Sequence, residues 1–104
     1  MGYVCISPQQ AFAVKQQGGV FVDIRDQQSY ALSHVDSAIH LDNRSVADFL
    51  QNQPKDQPVV VYCYHGISSQ SAAQFLSEQG FSECYSLNGG YEQWRLHYPE
   101  TCQA

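Results

Sequence analysis

The stretch Val59–Ala73, VVVYCYHGISSQSAA, decides the fold of this chain. It begins with an uninterrupted apolar run, which is typical of a strand buried on both faces of a parallel sheet. Gly66 permits a tight turn without the steric penalty of a Cβ atom. The helix that follows is expected to begin with a capping serine, Ser68 or Ser69. Cys63 is therefore predicted to lie at the carboxyl end of a central strand, facing the amino end of a helix.

This placement predicts an unusual environment for the Cys63 thiol. The first amides of a helix lack partners and carry a partial positive charge. Loop amides that converge on one point also form an anion-binding concavity. A cysteine in such a position has a depressed pKa and is a thiolate at neutral pH. The sequence therefore predicts a nucleophilic Cys63 in an anion cradle, and the alternative is a buried structural cysteine at the end of a strand.

Strands and helices are predicted to alternate along the rest of the chain. Four other short apolar runs read as strands, at 3–6, 20–24, 38–41 and 83–87. Helical patterns lie between them, with capping residues that include Ser7, Asp26 and Asp42. This alternation predicts an α/β fold, a three-layer sandwich in which a mostly parallel sheet of about five strands carries helices on both faces. Ligands bind at the carboxyl ends of the strands in such sheets, which is where Cys63 is placed.

Length and charge narrow the possible functions. The 104 residues are expected to form one domain, 1–104, with a core over 4–98 and a flexible tail over 99–104. The net charge of −5 argues against nucleic acid as a partner, because that requires a basic surface. No apolar run is long enough to span a bilayer, and no secretory signal is recognisable, so we expect no membrane association and a cytoplasmic location.

The four cysteines are Cys5, Cys63, Cys84 and Cys102. Their wide spacing and the lack of a recognisable signal favour free thiols in a reducing compartment. Cys5 and Cys84 have apolar neighbours and are expected to be small buried hydrophobic residues.

Four segments resemble the rhodaneses, the thiosulfate sulfurtransferases. Cys63–Ser69 looks like the active-site loop of that family, and Val22–Asp26 resembles its first acidic strand end. His34–Leu41 is similar to its G-H-I-x-G-A segment, and Leu87–Trp94 to its closing L-x-G-G-x-x-x-W segment. These segments have the family's order and cover nearly the whole chain. The resemblance, which is closest to the small single-domain bacterial members, implies a rhodanese-like sandwich.

The resemblance also implies a two-step reaction. Cys63 would attack the outer sulfur of thiosulfate, release sulfite and hold that sulfur as a persulfide, which a thiophilic acceptor then takes in a ping-pong mechanism. The acceptor would be cyanide, glutathione or a thioredoxin-like dithiol. No metal or other cofactor is implied. The persulfide would be cradled by the loop residues that follow the cysteine, which are Tyr64, His65, Gly66, Ile67, Ser68 and Ser69.

Two loop side chains have open roles, and three further residues are given a supporting one. His65 is either a base or cationic partner for the thiolate or a solvent-facing residue, and the second is favoured because amides already stabilise the anion. Tyr64 either shapes the mouth of the pocket or only covers the loop. The matching segments also contain three polar residues that we interpret as a structural network near the end of the sheet, namely Asp23, Arg25 and His34.

Other functions are weighed against this one. A phosphatase of the Cys-x5-Arg type needs an arginine where this chain has Ser69, so that reading is disfavoured. A non-catalytic persulfide carrier, loaded by a protein donor, is the main alternative, because it needs the same reactive Cys63.

Many rhodaneses carry Arg or Lys within the loop, and this loop has neither. The resulting hypothesis is that thiosulfate binds weakly and is not necessarily the physiological donor.

Overall fold

Strands and helices alternate throughout the computed structural model, which describes residues 2–104. In chain order the elements are β1 (Tyr3–Ile6), α1 (Pro8–Gln16), β2 (Val20–Asp23), α2 (Gln27–Leu32), β3 (His34–Val35), β4 (Ile39–His40), α3 (Val46–Asn52), β5 (Val59–Tyr62), α4 (Ser68–Glu78), β6 (Cys84–Leu87), α5 (Gly90–His97), a 3₁₀ turn (Pro99–Thr101) and β7 (Cys102–Gln103).

The central sheet has five strands in the order β1-β6-β5-β2-β4, and every pairing in it is parallel. Strand β5 lies in the middle, and all four of its residues are completely buried. This is the result expected of a run of β-branched residues with both faces covered. The predicted α/β fold with a five-stranded parallel sheet is therefore confirmed.

Successive residues of β5 point to two different cores. Val60 and Tyr62 join a cluster that includes Trp94 of α5 and Ala11 of α1. Val59 and Val61 face the other side, where the buried side chains come from α3 and α4, namely Phe49, Ala73 and Leu76. Helices thus cover both faces of the sheet, and the three-layer arrangement is as predicted.

The helix starts follow the predicted capping pattern only in part. The Ser7 hydroxyl accepts a hydrogen bond from the Gln10 amide, and the Asp26 carboxylate accepts one from the Ser29 amide. Asp42 is not the cap of α3, which begins four residues later at Val46. Its carboxylate instead accepts hydrogen bonds from two amides of the preceding turn.

Residues 99–103 differ from the flexible tail that the sequence predicts. The 3₁₀ turn leads into β7, whose Cys102 pairs antiparallel with Val35 of β3. The Trp94 indole N–H also donates to the Thr101 hydroxyl at 2.8 Å. A two-residue strand is too short to show a hydrophobic period, so no pattern in the sequence predicts this pairing.

The cysteines are all free, and one of them is placed differently from the prediction. Cys84 is buried as expected, but Cys5 is exposed because it lies on the edge strand β1. Within residues 2–104, no helix is both long and apolar enough to cross a membrane.

Candidate active site

Cys63 directly follows β5, at the carboxyl end of the central strand, and the loop after it leads into α4. Gly66 turns this loop with φ of +90°, a conformation that L-residues rarely adopt. A Cβ atom at Gly66 would lie 2.9 Å from the Gly89 nitrogen and 2.9 Å from the Leu87 carbonyl oxygen. Glycine is therefore required here by its conformation and by the close approach of the turn after β6.

The start of α5 binds the outer side of the loop. The Tyr91 amide donates to the Cys63 carbonyl at 2.8 Å, and the Glu92 amide donates to the Tyr64 carbonyl at 3.2 Å. Gly90 allows this approach, since a Cβ there would lie 2.5 Å from the Tyr64 carbonyl group. With these carbonyls held by α5, the loop amides are free to turn toward the Cys63 side chain.

Two amides and one hydroxyl surround the Cys63 sulfur. The amides of Gly66 and Ser69 lie 3.2 Å and 3.3 Å from Sγ, and the Ser69 hydroxyl lies 3.4 Å from it. Burial raises the pKa of the Cys63 thiol, but the Ser69 hydroxyl and the loop amides lower it by more, so the pKa falls below its ordinary value. Amides and a hydroxyl placed around a sulfur are groups that stabilise an anion, and the anion cradle predicted from the sequence stays a prediction with this geometry behind it.

The serines at the start of α4 have a different role from the one predicted. The helix begins at Ser68, the capping position is Ile67, and no side chain caps the first turn. Ser69 points inward instead, and its hydroxyl lies 2.8 Å from the hydroxyl of Ser86 on β6. Sequence reasoning missed Ser86, because a single serine within a strand carries no functional signal.

Cys63 borders a shallow depression of about 250 Å³, whose other lining residues are Tyr64, His65, Ile67 and Ser68. Cys63 itself is only 5% exposed, whereas Ile67 is 76% exposed. The His65 side chain is exposed and, within residues 2–104, makes no hydrogen bond to the sulfur. This depression is the route by which we expect a small ligand to approach Cys63 from solvent.

Asp23 and Arg25 form a buried ion pair beside the loop. The Arg25 guanidinium donates to the Asp23 carboxylate, with Nη2 and Oδ2 2.7 Å apart, and also to the Ser33 carbonyl at 2.6 Å. Its centre lies 4.1 Å from the middle of the Tyr91 ring and 5.6 Å from that of Tyr64. The pair contacts the aromatic residues that flank the loop and makes no hydrogen bond to Cys63, so its position fits the structural role proposed for it.

His34 is not joined to this ion pair. Its Nδ1 lies 2.7 Å from the Tyr30 carbonyl oxygen, and its ring stacks on Tyr30 with the ring centres 3.9 Å apart. The histidine that contacts the segment of the ion pair is His40, whose Nε2 lies 2.6 Å from the Arg25 carbonyl oxygen. Sequence reasoning missed His40, which comes from the neighbouring strand β4.

Tyr64 ties the loop to the start of α2. Its hydroxyl is hydrogen-bonded to the Asp26 carboxylate and to the Ser29 hydroxyl. The bond from Tyr64, followed by those from Ser29, lowers the pKa of Asp26 to about 2. Tyr64 therefore forms one wall of the depression and is fixed in place by a charged residue on another element.

Side chains that could bind a metal ion are not clustered in the part of the chain that the structure describes. Residues 2–104 contain no cluster of three or more His, Cys, Asp or Glu side chains that could hold a metal ion.

Comparison with known sequences identifies close relatives. A sequence model of the rhodanese-like domain matches residues 7–97. The thiosulfate sulfurtransferase GlpE of Pseudomonas entomophila is 59% identical over 99 residues, covering 94% of this chain and 91% of its own. The thiosulfate sulfurtransferase GlpE of Pseudomonas syringae is 54% identical over 99 residues, covering 94% of this chain and 93% of its own.

Solved structures have the same fold at lower identity. A rhodanese-related protein from Thermoplasma volcanium matches with a TM-score of 0.76 and 20% identity, over 91% of this chain and 93% of its own. A rhodanese-like domain protein from Staphylococcus aureus matches with a TM-score of 0.74 and 18% identity, over 88% of this chain and 90% of its own. At this identity the likeness bears on the fold alone.

Proposed function

The chain belongs to the family of rhodanese-like domains, and we propose that it is a thiosulfate sulfurtransferase that carries sulfane sulfur as a persulfide on Cys63. Relatives that are 54% to 59% identical over 94% of the chain bear the name thiosulfate sulfurtransferase, which supports the sulfurtransferase activity. The observation that carries the proposed mechanism is the set of two amides and one hydroxyl within 3.4 Å of a buried sulfur.

The first half-reaction begins with the Cys63 thiolate. Its sulfur attacks the outer sulfur of thiosulfate, a new S–S bond forms, and the bond between the two sulfurs of thiosulfate breaks. Sulfite leaves with the electron pair of that bond, and the persulfide retains one negative charge on its outer sulfur. The lowered pKa of the Cys63 thiol means that the ionised nucleophile persists to a lower pH than it would in an ordinary cysteine.

The second half-reaction transfers the outer sulfur to an acceptor. A nucleophile such as cyanide or a thiolate attacks that sulfur, and Cys63 leaves as a thiolate. A thiol of lower pKa is a better leaving group in this exchange, so the same donors that activate Cys63 for attack also favour its departure. The two half-reactions share one sulfur atom and therefore predict ping-pong kinetics.

The loop supplies no cationic side chain to the sulfonate of thiosulfate. The depression around the sulfur is lined by neutral residues and His65. We therefore keep the hypothesis that thiosulfate binds weakly and is not necessarily the physiological donor. Ile67 is exposed at this rim, so Ile67→Arg is expected to lower KM for thiosulfate. An equal fall in KM for Ile67→Gln would remove the charge as the explanation.

Intact mass spectrometry tests the persulfide route. Treatment with thiosulfate should add the mass of one sulfur atom, and cyanide should then remove it. Cys63→Ser should take up no sulfur, while Cys84→Ser, a change at the other buried cysteine, should load normally. Absence of an adduct in the unmodified protein with every donor tried would leave Cys63 a structural cysteine.

Loading from a protein persulfide donor, together with turnover measured with thiosulfate, separates an enzyme from a carrier. A carrier would load from a protein persulfide donor but would not turn over with thiosulfate and small acceptors. Cyanide, glutathione and a thioredoxin-like dithiol remain the proposed acceptors, and the reducing, cytoplasmic location remains a prediction from the sequence.

A further inference from the structure

A second buried hydroxyl lies behind the donors that surround Cys63. Ser86 is on β6, beside Val61 of β5, and its side chain is completely buried. Its hydroxyl lies 2.8 Å from that of Ser69, which is also completely buried and lies 3.4 Å from the Cys63 sulfur. Ser86, Ser69 and Cys63 therefore form a hydrogen-bonded chain that comes from the neighbouring strand.

The anionic sulfur determines the direction of this chain. A thiolate can only accept hydrogen bonds, so the Ser69 hydroxyl must donate to it. The Ser69 oxygen is then available as an acceptor, and within residues 2–104 it is the one hydrogen-bond partner of the Ser86 side chain. The order is Ser86 to Ser69 to sulfur, and every hydroxyl proton in it has an acceptor.

The neutral thiol makes less favourable hydrogen bonds with the same two hydroxyls than the thiolate does. If the thiol proton is donated to Ser69, either Ser69 donates to Ser86 or Ser86 donates to Ser69, and in each case one of the two hydroxyl protons is left without an acceptor among these groups in a buried site. An unpaired buried hydroxyl is costly. If the chain keeps its other direction, it ends on a thiol sulfur, which is a weak acceptor. Both arrangements are less favourable than the one that ends on the anion.

We propose that Ser86 is a positioning residue that directs the Ser69 hydroxyl at the Cys63 sulfur and thereby favours the anionic form. This inference rests on the proposed function, because it assigns Ser86 a part in activating the proposed nucleophile. Hydrogen bonds in a chain polarise one another, so the Ser86 donor strengthens the bond that Ser69 makes to sulfur. Ser86 itself does not touch the sulfur or a substrate.

The test measures the ionisation of Cys63 without any sulfur donor. In a background with Cys5→Ser and Cys102→Ser, only Cys63 and the buried Cys84 remain as thiols. The thiolate absorbance near 240 nm and the rate of iodoacetamide alkylation are followed against pH. We expect Ser86→Ala to raise the midpoint of both curves by about 0.5–1 pH unit, through loss of one polarising donor.

A matched control is available at another buried serine. Ser77 is 4% exposed, and its hydroxyl accepts a hydrogen bond from the Gly2 amide, away from the sulfur. Ser77→Ala removes the same atom and should leave the Cys63 midpoint unchanged. An equal shift in Ser77→Ala would mean that the effect is a general loosening of the fold and would overturn the proposal.

A double variant shows whether Ser86 acts through Ser69. If it does, Ser86→Ala adds no further shift when Ser69 is already alanine, and the two single effects are strongly non-additive. A full additional shift in that background, or no shift from Ser86→Ala alone, would refute the inference. A protein that titrates as expected but takes no sulfur from thiosulfate would contradict the proposed function and leave the role of Ser86 intact.

An isosteric pair covers the case in which Ser86→Ala does not fold. Ser86→Thr and Ser86→Val have nearly the same shape and differ in the hydroxyl. The valine variant should have the higher Cys63 midpoint of the two. Equal midpoints would overturn the proposal.

Discussion

Cys63 and Cys84 are both buried beside the central strand β5, yet they have opposite chemical character. Cys63 is 5% exposed and Cys84 is 3% exposed. Cys84 pairs with Val59 at the beginning of β5, whereas Cys63 follows Tyr62 at its end. The two thiols therefore lie at opposite ends of the strands of one parallel sheet and are buried to a similar extent. We call the end with Cys63 the carboxyl edge of the sheet and the end with Cys84 its amino edge.

The difference between them lies in the backbone groups that each edge presents. At the carboxyl edge the chain runs into the start of α4, and two amides and a hydroxyl point at the Cys63 sulfur. At the amino edge the Cys84 sulfur meets a carbonyl oxygen, that of Phe81 at 3.7 Å. Burial raises the pKa of Cys84, while the donors lower that of Cys63. Burial alone therefore raises the pKa of a cysteine, and the direction of the strands decides which end of the sheet supplies amides that lower it.

The largest expected difference between the two cysteines is in the activity that remains when each is replaced by alanine. Cys63→Ala is expected to abolish turnover of thiosulfate with cyanide, because no nucleophile remains. Cys84→Ala should keep kcat/KM within about two-fold and lower the free energy of unfolding by about 1–2 kcal/mol, through lost packing. Steady-state kinetics and urea unfolding check both results. Loss of activity in folded Cys84→Ala would mean that the amino edge also takes part in the reaction.

Alanine at Gly66 should damage the cradle that distinguishes Cys63. The new Cβ would strain a φ of +90° and lie 2.9 Å from backbone atoms of the turn after β6. We expect activity to fall by about 100-fold or more as the donors are displaced. Gly18→Ala is the matched control, since its φ is +96° but nothing lies within 4 Å of the new Cβ.

The Gly18→Ala control should retain activity and lose only about 1–2 kcal/mol of stability, the cost of the left-handed conformation. Similar kinetic losses in both glycine variants would show that backbone strain, and not the geometry of the donors, governs the reaction.

The pH dependence of alkylation should sharpen the comparison. The pKa of Cys63 is lowered, so its thiolate persists as the pH falls below the ordinary range of a thiol and is lost only at the lowered pKa. The pKa of Cys84 is raised, so its thiolate forms only above that range. Mass-resolved iodoacetamide labelling should modify Cys63 at neutral pH and leave Cys84 unmodified. Equal labelling of both thiols at neutral pH would contradict this account.

The two pKa shifts also make the free energy of unfolding depend on pH, in opposite directions for the two cysteines. The pKa of Cys63 is lowered in the folded state, so its ionisation stabilises the fold at pH values above the pKa of the unfolded thiol. This stabilisation is lost as the pH falls through the pKa of the folded protein. The raised pKa of Cys84 acts in the other direction, since its contribution is present below the unfolded value and is lost as the pH rises.

The smallest expected effect concerns the link between the loop and α2. Tyr64→Phe removes a hydrogen bond to the Asp26 carboxylate, whose pKa of about 2 should then rise toward the usual range of an aspartate. NMR titration of the Asp26 carboxyl carbon measures this shift. The Cys63 midpoint should change little, because the donors to its sulfur come from other residues. A large change there would make Tyr64 part of the activating set.

Much of the site can be read from the sequence because its chemistry is local. The valine run predicts the central strand, and Gly66 predicts the turn that follows Cys63. The donors from Gly66 and Ser69 lie within six residues of the cysteine, so a strand-loop-helix pattern already implies them. The Asp23–Arg25 pair is similarly local, since its partners are two residues apart.

The sequence by itself therefore determined the α/β alternation, the position of Cys63 at a strand end and the amide cradle around it. Only the tertiary structure decided that Ser86 lies behind Ser69, that α5 holds the Cys63 carbonyl and that β7 pairs with β3. These contacts join residues that are distant along the chain. They depend on the order of the strands and on the path of the termini, which local hydrophobic periodicity does not encode.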